Sequence, residues 1–567
     1  MDNGQISDVF SLLGKLMDIN GENSFKAKSY SIAAFNIEKL PLQLMDTPKE
    51  KISGIKGIGE SMGKKILEIL ETGSLQLLQQ IVDKTPAGVI EMLNIKGIGP
   101  KKIHTIWKEM EIETIGELLY ACQENRLKLY KGFGEKTQQN VIETIEFYLQ
   151  HQGSYLYRQV ELVEPQVRTY LEKLFSAEKV GLTGNFRRQL NVIEELEYVI
   201  GYTNEEIKPR FQTAHPPELL DEKPDSLLYR LLNGLKLRLY TGKHDIGKKI
   251  FLTTGSPTFI EAFVNRFPDV LQNLGEEKDD RLVFRKAGIS DIPAFARESA
   301  TVIDIAAAAM LPNTVQPGDI KGIVHCHSNW SDGSNTIEEM AIAAIEKGFE
   351  YLVISDHSKS AFYAQGLSEE KIAAQQHYID ELNAKYPSFR IFKSIECDIL
   401  NDGSLDYGNG VLSTFDLVIA SVHSNLKMTE EKAMLRLLNA IENPYTTILG
   451  HLTGRLLLSR KGYPVDHKKI IDACAANQVV IELNAHPSRL DIDWQYIGYA
   501  LDKGVMISID PDAHNIRGFD DIRYGVLTAQ KALLPVSSNL SSMTLAGFSS
   551  YVEERKELKG LYSGRGV

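Results

Sequence analysis

The stretch 323–333 reads IVHCHSNWSDG and sets His325, His327 and Asp332 at the end of a β-branched, apolar run. An H-x-H pair alone is common. Repetition gives this one weight: YLVISDHS brings His357, IFKSIECDI brings Glu396, and DLVIASVHS brings His423. TTILGH then brings His451, VVIELNAH brings Glu482 and Asn484, and MISIDPDAH brings Asp512 and His514. Seven such segments finish on metal-competent or polar side chains, with helix-like stretches between them. A parallel β/α barrel presents a site in this way, because its active residues stand at the C-terminal ends of the strands.

Working outward, 567 residues are too many for one hydrophobic core and predict several domains. Hydrophobic content of 43% and charged content of 24% are ordinary for a soluble globular protein. No signal-like N-terminus is read and no apolar run reaches ~18 residues, so a cytoplasmic protein outside membranes is expected. Cys122, Cys326, Cys397 and Cys474 form no C-x-x-C pair and read as reduced core thiols. A net charge of −12 leaves nucleic-acid binding open, because the placement of positive charge decides it.

Residues 1–80 read as amphipathic helices, interrupted by the Lys- and aromatic-rich GENSFKAKSYSIAAFNIEKL. An internal repeat overlaps them: ISGIKGIGESMGKKILEIL around Gly57 and Gly59, and LNIKGIGPKKIHTIWKEM around Gly97 and Gly99. A weaker third copy, LKLYKGFGEKTQQNVIETI, carries Gly132 and Gly134. The pattern resembles the helix-hairpin-helix of DNA-repair proteins. Glycines let the backbone approach a phosphate, and N–H groups at a helix N-terminus bind the anion. Lys56, Lys96 and Lys131 flank the turns, and Lys64, Lys65, Lys101 and Lys102 follow them. Such contacts position DNA without reading its bases. One G-x-G is as often a plain helix turn; three at similar spacing favour DNA binding.

Residues 151–315 contain LTGNFRRQLNVIEELEYVIG, NGLKLRLYTG and FLTTGSPTFIEAF. Their order, between hairpins and a His-rich barrel, resembles the bacterial family X DNA polymerases. That family's palm has a G-S-x-R-R turn, a D-x-D pair and a further Asp, which together hold two Mg²⁺ ions. Here the turn is Gly184-Asn185-Phe186-Arg187-Arg188, the pair is Glu195 and Glu197, and Lys236 stands near the last carboxylate's position. Glu for Asp shifts the carboxylate by ~1.5 Å, enough to disturb Mg²⁺ bonds of about 2.1 Å. Lysine repels a cation outright. Lys236 is therefore expected to pair with Glu195 or Glu197 in place of metal, with polymerisation lost. Arg187, Arg188, Thr254, Gly255 and Ser256 match the family's nucleotide-contacting parts. They suit either a triphosphate or the humbler work of bracing the turn and capping a helix.

After QPGDIKG, the chain resembles the polymerase-and-histidinol-phosphatase (PHP) domain through SDHSKS, CDILNDGSLDY, SVHSN, GHLTGRLL and DPDAH. The resemblance implies nine ligands: His325, His327, Asp332, His357, Glu396, His423, His451, Asp512 and His514. It groups them as His325, His327, Glu396 and Asp512; as Glu396, His423 and His451; and as Asp332, His357 and His514. This donor mix suits up to three Mn²⁺, Zn²⁺ or Fe²⁺ ions. Asp356 and Asn484 are expected to orient ligands, and Arg455, Arg460 and Arg489 either to hold substrate phosphates or to serve as surface ion-pair arginines. His486 is left structural.

The expected architecture is multidomain: a helix-hairpin-helix region (1–88), a fingers-like hairpin region (89–150), an α+β nucleotidyltransferase-like palm (151–245), a thumb (246–315) and a (β/α)7 PHP barrel (318–567). The implied function is a metal-dependent 3′→5′ exonuclease acting in DNA repair on gapped, recessed or damaged ends, as a monomer. The competing expectations are a gap-filling polymerase that binds dNTP and Mg²⁺ and proofreads, a phosphatase of small phosphomonoesters, and a non-catalytic scaffold for DNA ends.

Overall fold

Each G-x-G step of the N-terminal region is built the same way in the computed structural model. Its first glycine has φ near +90° (Gly57 91°, Gly97 91°, Gly132 94°), a conformation that side chains resist. The residue between the glycines, Ile58, Ile98 or Phe133, is buried as a plug, while the glycines themselves are exposed. The second glycine immediately precedes a helix: Glu60–Thr72, Pro100–Lys108 and Glu135–Gln150. The turn's apolar residue therefore anchors the hairpin, leaving its backbone and Lys56, Lys96, Lys101 and Lys131 at the surface.

The structure describes residues 1–560 other than 124–126, 128–129, 151–152, 212–215, 273, 275–277, 362–363 and 459–460. Arg460, expected at the site, lies outside the described residues. Two compact units divide the chain at Met1–Gln152 and Gly153–Val567. The first is helical, with one continuous core that includes all three plugs. Among the described residues no helix is long and apolar enough to cross a membrane. All four cysteines are buried and free.

The second unit begins with a mixed sheet of β1 (Val180–Thr183), β2 (Glu195–Ile200), β3 (Glu218–Lys223), β4 (Ser226–Arg230) and β5 (Lys236–Thr241). Its order is β1-β2-β5-β4-β3, and β2 and β5 form its parallel pair. Period-two alternation sorts the side chains. Leu196, Tyr198, Ile200, Leu237 and Leu239 enter the core, which puts Glu195, Glu197, Lys236 and Arg238 on the opposite face. A separate cluster of Phe251, Phe259, Phe263 and Phe284 holds the following helices together.

The barrel strands are β6 (Gly322–Cys326), β7 (Tyr351–Ile354), β8 (Arg390–Asp398), β9 (Leu417–Ser421), β10 (Thr446–Leu449), β11 (Val480–Asn484) and β12 (Ile507–Asp510). They pair in chain order, all parallel. A bridge between Cys326 and Ala513 nearly closes the barrel. Val324, Val353, Phe392, Ile419, Ile448 and Val480 fill its lower interior, joined by Phe548 and Val552 of the helix Leu545–Leu558. With that end packed, the polar ends of the strands are left to form a site at the other.

The helix Ile522–Lys531 joins barrel to palm. Lys531 Nζ is buried there, 2.5 Å from Glu298 Oε1 and 2.8 Å from the Arg188 carbonyl. Burial lowers its pKa, and the Glu298 carboxylate limits the fall to about 8.

Candidate metal centre and degenerate palm

Strand periodicity carries Glu396 into the barrel, two residues beyond inward-facing Ser394 and four beyond Phe392. His325 arrives differently. Its φ is +61°, and β6 breaks register between Ile323 and Cys326, so the bulge re-aims the imidazole inward. Asp512 also adopts positive φ, at 51°. Non-glycine residues hold such conformations only where the surrounding packing enforces them.

Glu396 is the hub. Its Oε1 lies 2.9 Å from His451 Nε2, 3.1 Å from His423 Nε2 and 3.4 Å from His325 Nε2. Its Oε2 lies 2.9 Å from His357 Nδ1 and 3.6 Å from His327 Nε2. Asp512 Oδ1 stands 3.1 Å from His327 Nε2 and 3.6 Å from His325 Nε2. Asp332 completes the rim, 3.6 Å from His357 Nε2 and 3.5 Å from His514 Nε2. All nine candidate ligands are thereby brought together. Three close groups emerge: His325, His327 and Asp512; His357, Glu396 and His423; and His327, Asp332, His357 and His514. The grouping differs from expectation in that His327 and His357 each face two groups. Their rings sit 4.3 Å apart and nearly parallel, between the flanking carboxylates.

The cluster fits divalent ions. His325 Nε2, His327 Nδ1 and His451 Nδ1 are buried without a hydrogen bond to any described residue, and His357 Nδ1 and Glu396 Oε2 approach each other at 2.9 Å but are poorly directed. A native interior rarely leaves so many orphans together unless a ligand satisfies them. Burial opposes charge on His325, yet Glu482, Glu396 and Asp512 outweigh it and hold the imidazole well above its ordinary range. This is the signature of a strongly negative pocket. Burial instead pulls His327 down to about 3, helped by His514 and His357, so its ring is neutral and its lone pair available.

Two residues set these rings: Glu482, singled out in the sequence without a role, and Asp398, which was not. His325 Nδ1 lies 2.5 Å from Glu482 Oε1, and His423 Nδ1 lies 2.5 Å from Asp398 Oδ1. Carboxylates only accept, so each Nδ1 carries a proton and Nε2 is the nitrogen left facing the cluster, free to give up its own proton to a metal. The available signal was spacing: Asp398 shares a face of β8 with Glu396, and Glu482 faces inward like Val480 on β11. Replacing Glu482 by Gln is expected to weaken divalent-metal affinity about 10- to 100-fold with the fold intact. Calorimetric titration with Mn²⁺ checks this, and unchanged affinity refutes it.

Other expected roles are altered. Asp356 touches no imidazole; it accepts from the Ser328 N–H and from the side chains of Ser328, Ser331 and Gln375, bracing the loop that carries Asp332. Arg455 takes the ion-pair alternative here. It donates to Asp493 Oδ2 at 2.6 Å and to the carbonyls of Arg489 and Leu490, which consumes its fork in a loop. Arg489 is the arginine at the cluster, its Nε 3.7 Å from Asp512 Oδ2. Asn484 Nδ2 donates to Asp512 Oδ2 at 3.1 Å.

In the palm, the cation paired with Glu195 is Arg238, not Lys236. Arg238 Nε and Nη2 reach Glu195 Oε2 and Oε1 at 2.6 and 3.0 Å, a two-pronged match that an ammonium cannot make. Lys236 Nζ lies instead near Gly153, 3.8 Å from where a side chain on that glycine would begin. Glu197 is tucked beneath the Gly184 turn and accepts from the Asn185 N–H at 2.8 Å and Tyr240 hydroxyl at 3.1 Å. A side chain on Gly184 would start 1.8 Å from Glu197 Oε2.

The nucleotide-contacting parts are also engaged within the protein. Arg187 makes two bonds to Asp280, at 2.8 and 2.9 Å, and one to Thr254 at 2.7 Å. Arg188 donates to Glu298 at 3.0 Å and to Asn185 at 2.6 Å. Ser256 accepts from the Phe259 N–H at 3.1 Å, capping Pro257–Arg266, and donates to the Glu298 carbonyl at 2.8 Å. Gly255 packs where a Cβ would strike Ile260. Of the two uses open to these residues, they serve the structural one here.

Comparison with known proteins gives matches to a helix-hairpin-helix domain over residues 1–75, a SAM-like helix-hairpin-helix tandem over 89–146 and a PHP domain over 324–486. The chain is 29% identical to the DNA polymerase/3′-5′ exonuclease PolX of Bacillus subtilis, over 96% of this chain and 99% of that one. It is 28% identical to a probable phosphatase of Thermoanaerobacter sp., covering 32% of this chain and 73% of the phosphatase. A histidinol phosphate phosphatase from Lactococcus lactis aligns in three dimensions with a TM-score of 0.31 and 19% identity, over 38% of this chain and 94% of that one. That last likeness is too slight to bear on chemistry. The hairpins, the mixed middle sheet and the parallel barrel follow one another along the full-length match, so the chain resembles, over nearly its whole length, the bacterial family X DNA polymerases that carry a PHP domain.

Proposed function

We propose that the chain is a metal-dependent 3′→5′ exonuclease of DNA repair whose polymerase site has become a scaffold. One observation carries the reading: nine metal-competent side chains converge in the barrel with orphaned buried atoms, while in the palm Arg238 occupies the Glu195 carboxylate. The palm donors do not fit Mg²⁺. Glu195 spends both oxygens on a guanidinium, and a fixed positive charge beside Glu197 repels a cation.

His325, His327, Asp332, His357, Glu396, His423, His451, Asp512 and His514 would hold divalent ions in the barrel, most simply Mn²⁺, Zn²⁺ or Fe²⁺. Such ions, when bound, supply Lewis acidity toward the phosphodiester and lower the pKa of an attacking water. The chain's own part is orientation and charge. Glu482 and Asp398 fix the protonated nitrogens of His325 and His423, and Asn484 steadies Asp512. Arg489, at the edge of the cluster, is suited to a phosphate oxygen. The hairpin glycines and lysines Lys56, Lys96 and Lys101 would grip the DNA backbone, favouring a DNA end over a small phosphomonoester.

The test is a 5′-labelled primer annealed to a longer template and incubated with the full chain and Mn²⁺. Stepwise shortening that chelation stops supports the reading. Loss of the 5′ label as mononucleotide, or no cleavage, overturns it.

A further inference from the structure

An arginine from the palm side stands at the barrel's rim. Arg158 belongs to the short helix Tyr157–Glu161, and its Nη1 lies 3.6 Å from Asp521 Oδ1. Asp521 ends the turn Ile516–Asp521, which follows the candidate ligand His514. The same turn is tied to the loop carrying Asp332: the Ile516 N–H donates to Asn335 Oδ1 at 3.2 Å, and the Ser334 N–H donates to the His514 carbonyl at 2.8 Å. Arg158 is thus anchored to the strand-end face where the cluster opens.

Its placement is enforced. Tyr157 stacks on Phe186 with ring centroids 4.6 Å apart, and its N–H donates to the Asn191 carbonyl. Glu161, one helical turn on, pairs with Arg523 and accepts from the Tyr524 hydroxyl at 3.1 Å, both on the barrel helix Ile522–Lys531. Held at both ends, Arg158 nonetheless keeps 51% of its side chain exposed, and its contact with Asp521 exceeds hydrogen-bond length. A half-exposed guanidinium with one long ion pair keeps donors available to a ligand. Farther in, Arg489 lies 3.7 Å from Asp512, and His486 lies within the field of both arginines. Its ring is held below its ordinary range chiefly by burial, with both arginines adding to the effect.

We propose that Arg158 binds a phosphate of the DNA strand upstream of the scissile bond, so that the relict palm positions substrate for the barrel. An arginine outside the cluster adds a second backbone contact along a strand, whereas a single phosphate group needs only Arg489. This inference rests on the exonuclease reading above, and the test separates the two.

Full-length wild type, Arg158→Ala and Arg158→Glu are compared with Mn²⁺ on 5′-labelled single-stranded DNA and on thymidine 5′-monophosphate p-nitrophenyl ester, a one-phosphate diester. Arg158→Ala is expected to raise KM for DNA about tenfold, and Arg158→Glu further, with kcat held. The slope of log affinity against log salt should fall by roughly one for the alanine variant. Hydrolysis of the small ester and thermal melting should match wild type. DNA cleavage by Arg158→Glu at the wild-type KM overturns the proposal, as does equal loss on both substrates. Wild type that leaves DNA uncut removes the exonuclease reading itself, a result distinct from either.

Discussion

Asp512→Ala is expected to cut 3′→5′ cleavage by about a thousandfold or more while leaving DNA binding unchanged, because it removes a carboxylate that would ligate metal. Asp512 stands within 3.1 Å of His327 and 3.6 Å of His325, is buried at positive φ, and is held by Asn484. Burial would favour its neutral form, but His325, His327 and His514 keep its carboxyl well below the usual range, so it is ionised at any working pH. Removing it takes one negative charge and one donor from the group it shares with His325 and His327. The hairpins, in the other compact unit, should still hold DNA. Cleavage rates by gel and affinity by fluorescence anisotropy check the two halves. Activity within tenfold of wild type would contradict the assignment, and Asp512→Asn, nearly isosteric, separates lost ligation from lost packing.

The second large effect concerns stability. Asp280→Ala is expected to destabilise the palm and thumb by about 3–5 kcal/mol, the cost of stranding a buried charge. Asp280 is 4% exposed and Arg297 2%, and their contact is 2.5 Å. Arg187 adds its two-pronged pair, and Arg297 stacks over Phe284 at 4.8 Å. Burial alone would raise the Asp280 pKa, but Arg187 and Arg297 outweigh it and hold it at about 2. A carboxyl depressed on folding stabilises above its unfolded pKa and loses that contribution as pH falls through the folded one. The advantage of wild type over Asp280→Ala should therefore be full above about pH 4 and shrink toward pH 2. Urea melts across that range measure it. A difference below about 1 kcal/mol at neutral pH would show that the arginines find other partners.

What was readable from sequence follows from local rules. Most of the candidate ligands were visible because they close an apolar run, where a parallel barrel presents its site, and the resemblance to the PHP domain supplied the set of nine. The hairpins were visible because a G-apolar-G step is itself the turn: two exposed glycines around a buried plug. Roles that depend on reach across strands were not. Lys236 lies directly opposite Glu195 in the register of β2 and β5, yet Arg238, opposite Glu197, makes the pair because its planar fork spans the diagonal. Arg455 follows His451 as a substrate arginine would, but the carbonyls it holds belong to a loop more than thirty residues on. Glu482 and Asp398 looked like any inward carboxylate, since only the position of a ring nitrogen separates orienting a ligand from being one.

Under the proposed loss of polymerisation, the palm's ion pairs explain how the site survives as structure. Arg187, Arg188 and Ser256 remain useful without nucleotide, because Asp280 and Glu298 recruit them into the packing of palm, thumb and barrel helix. Selection on stability then suffices to keep the turn.

The central claim is that this chain shortens DNA and does not extend it. The most direct measurement is a 5′-labelled primer on a longer template with Mn²⁺, run with and without dNTPs. Shortening in both lanes is predicted. Lengthening when dNTPs are added would show that Glu195 and Glu197 still serve polymerisation despite Arg238, and would contradict it.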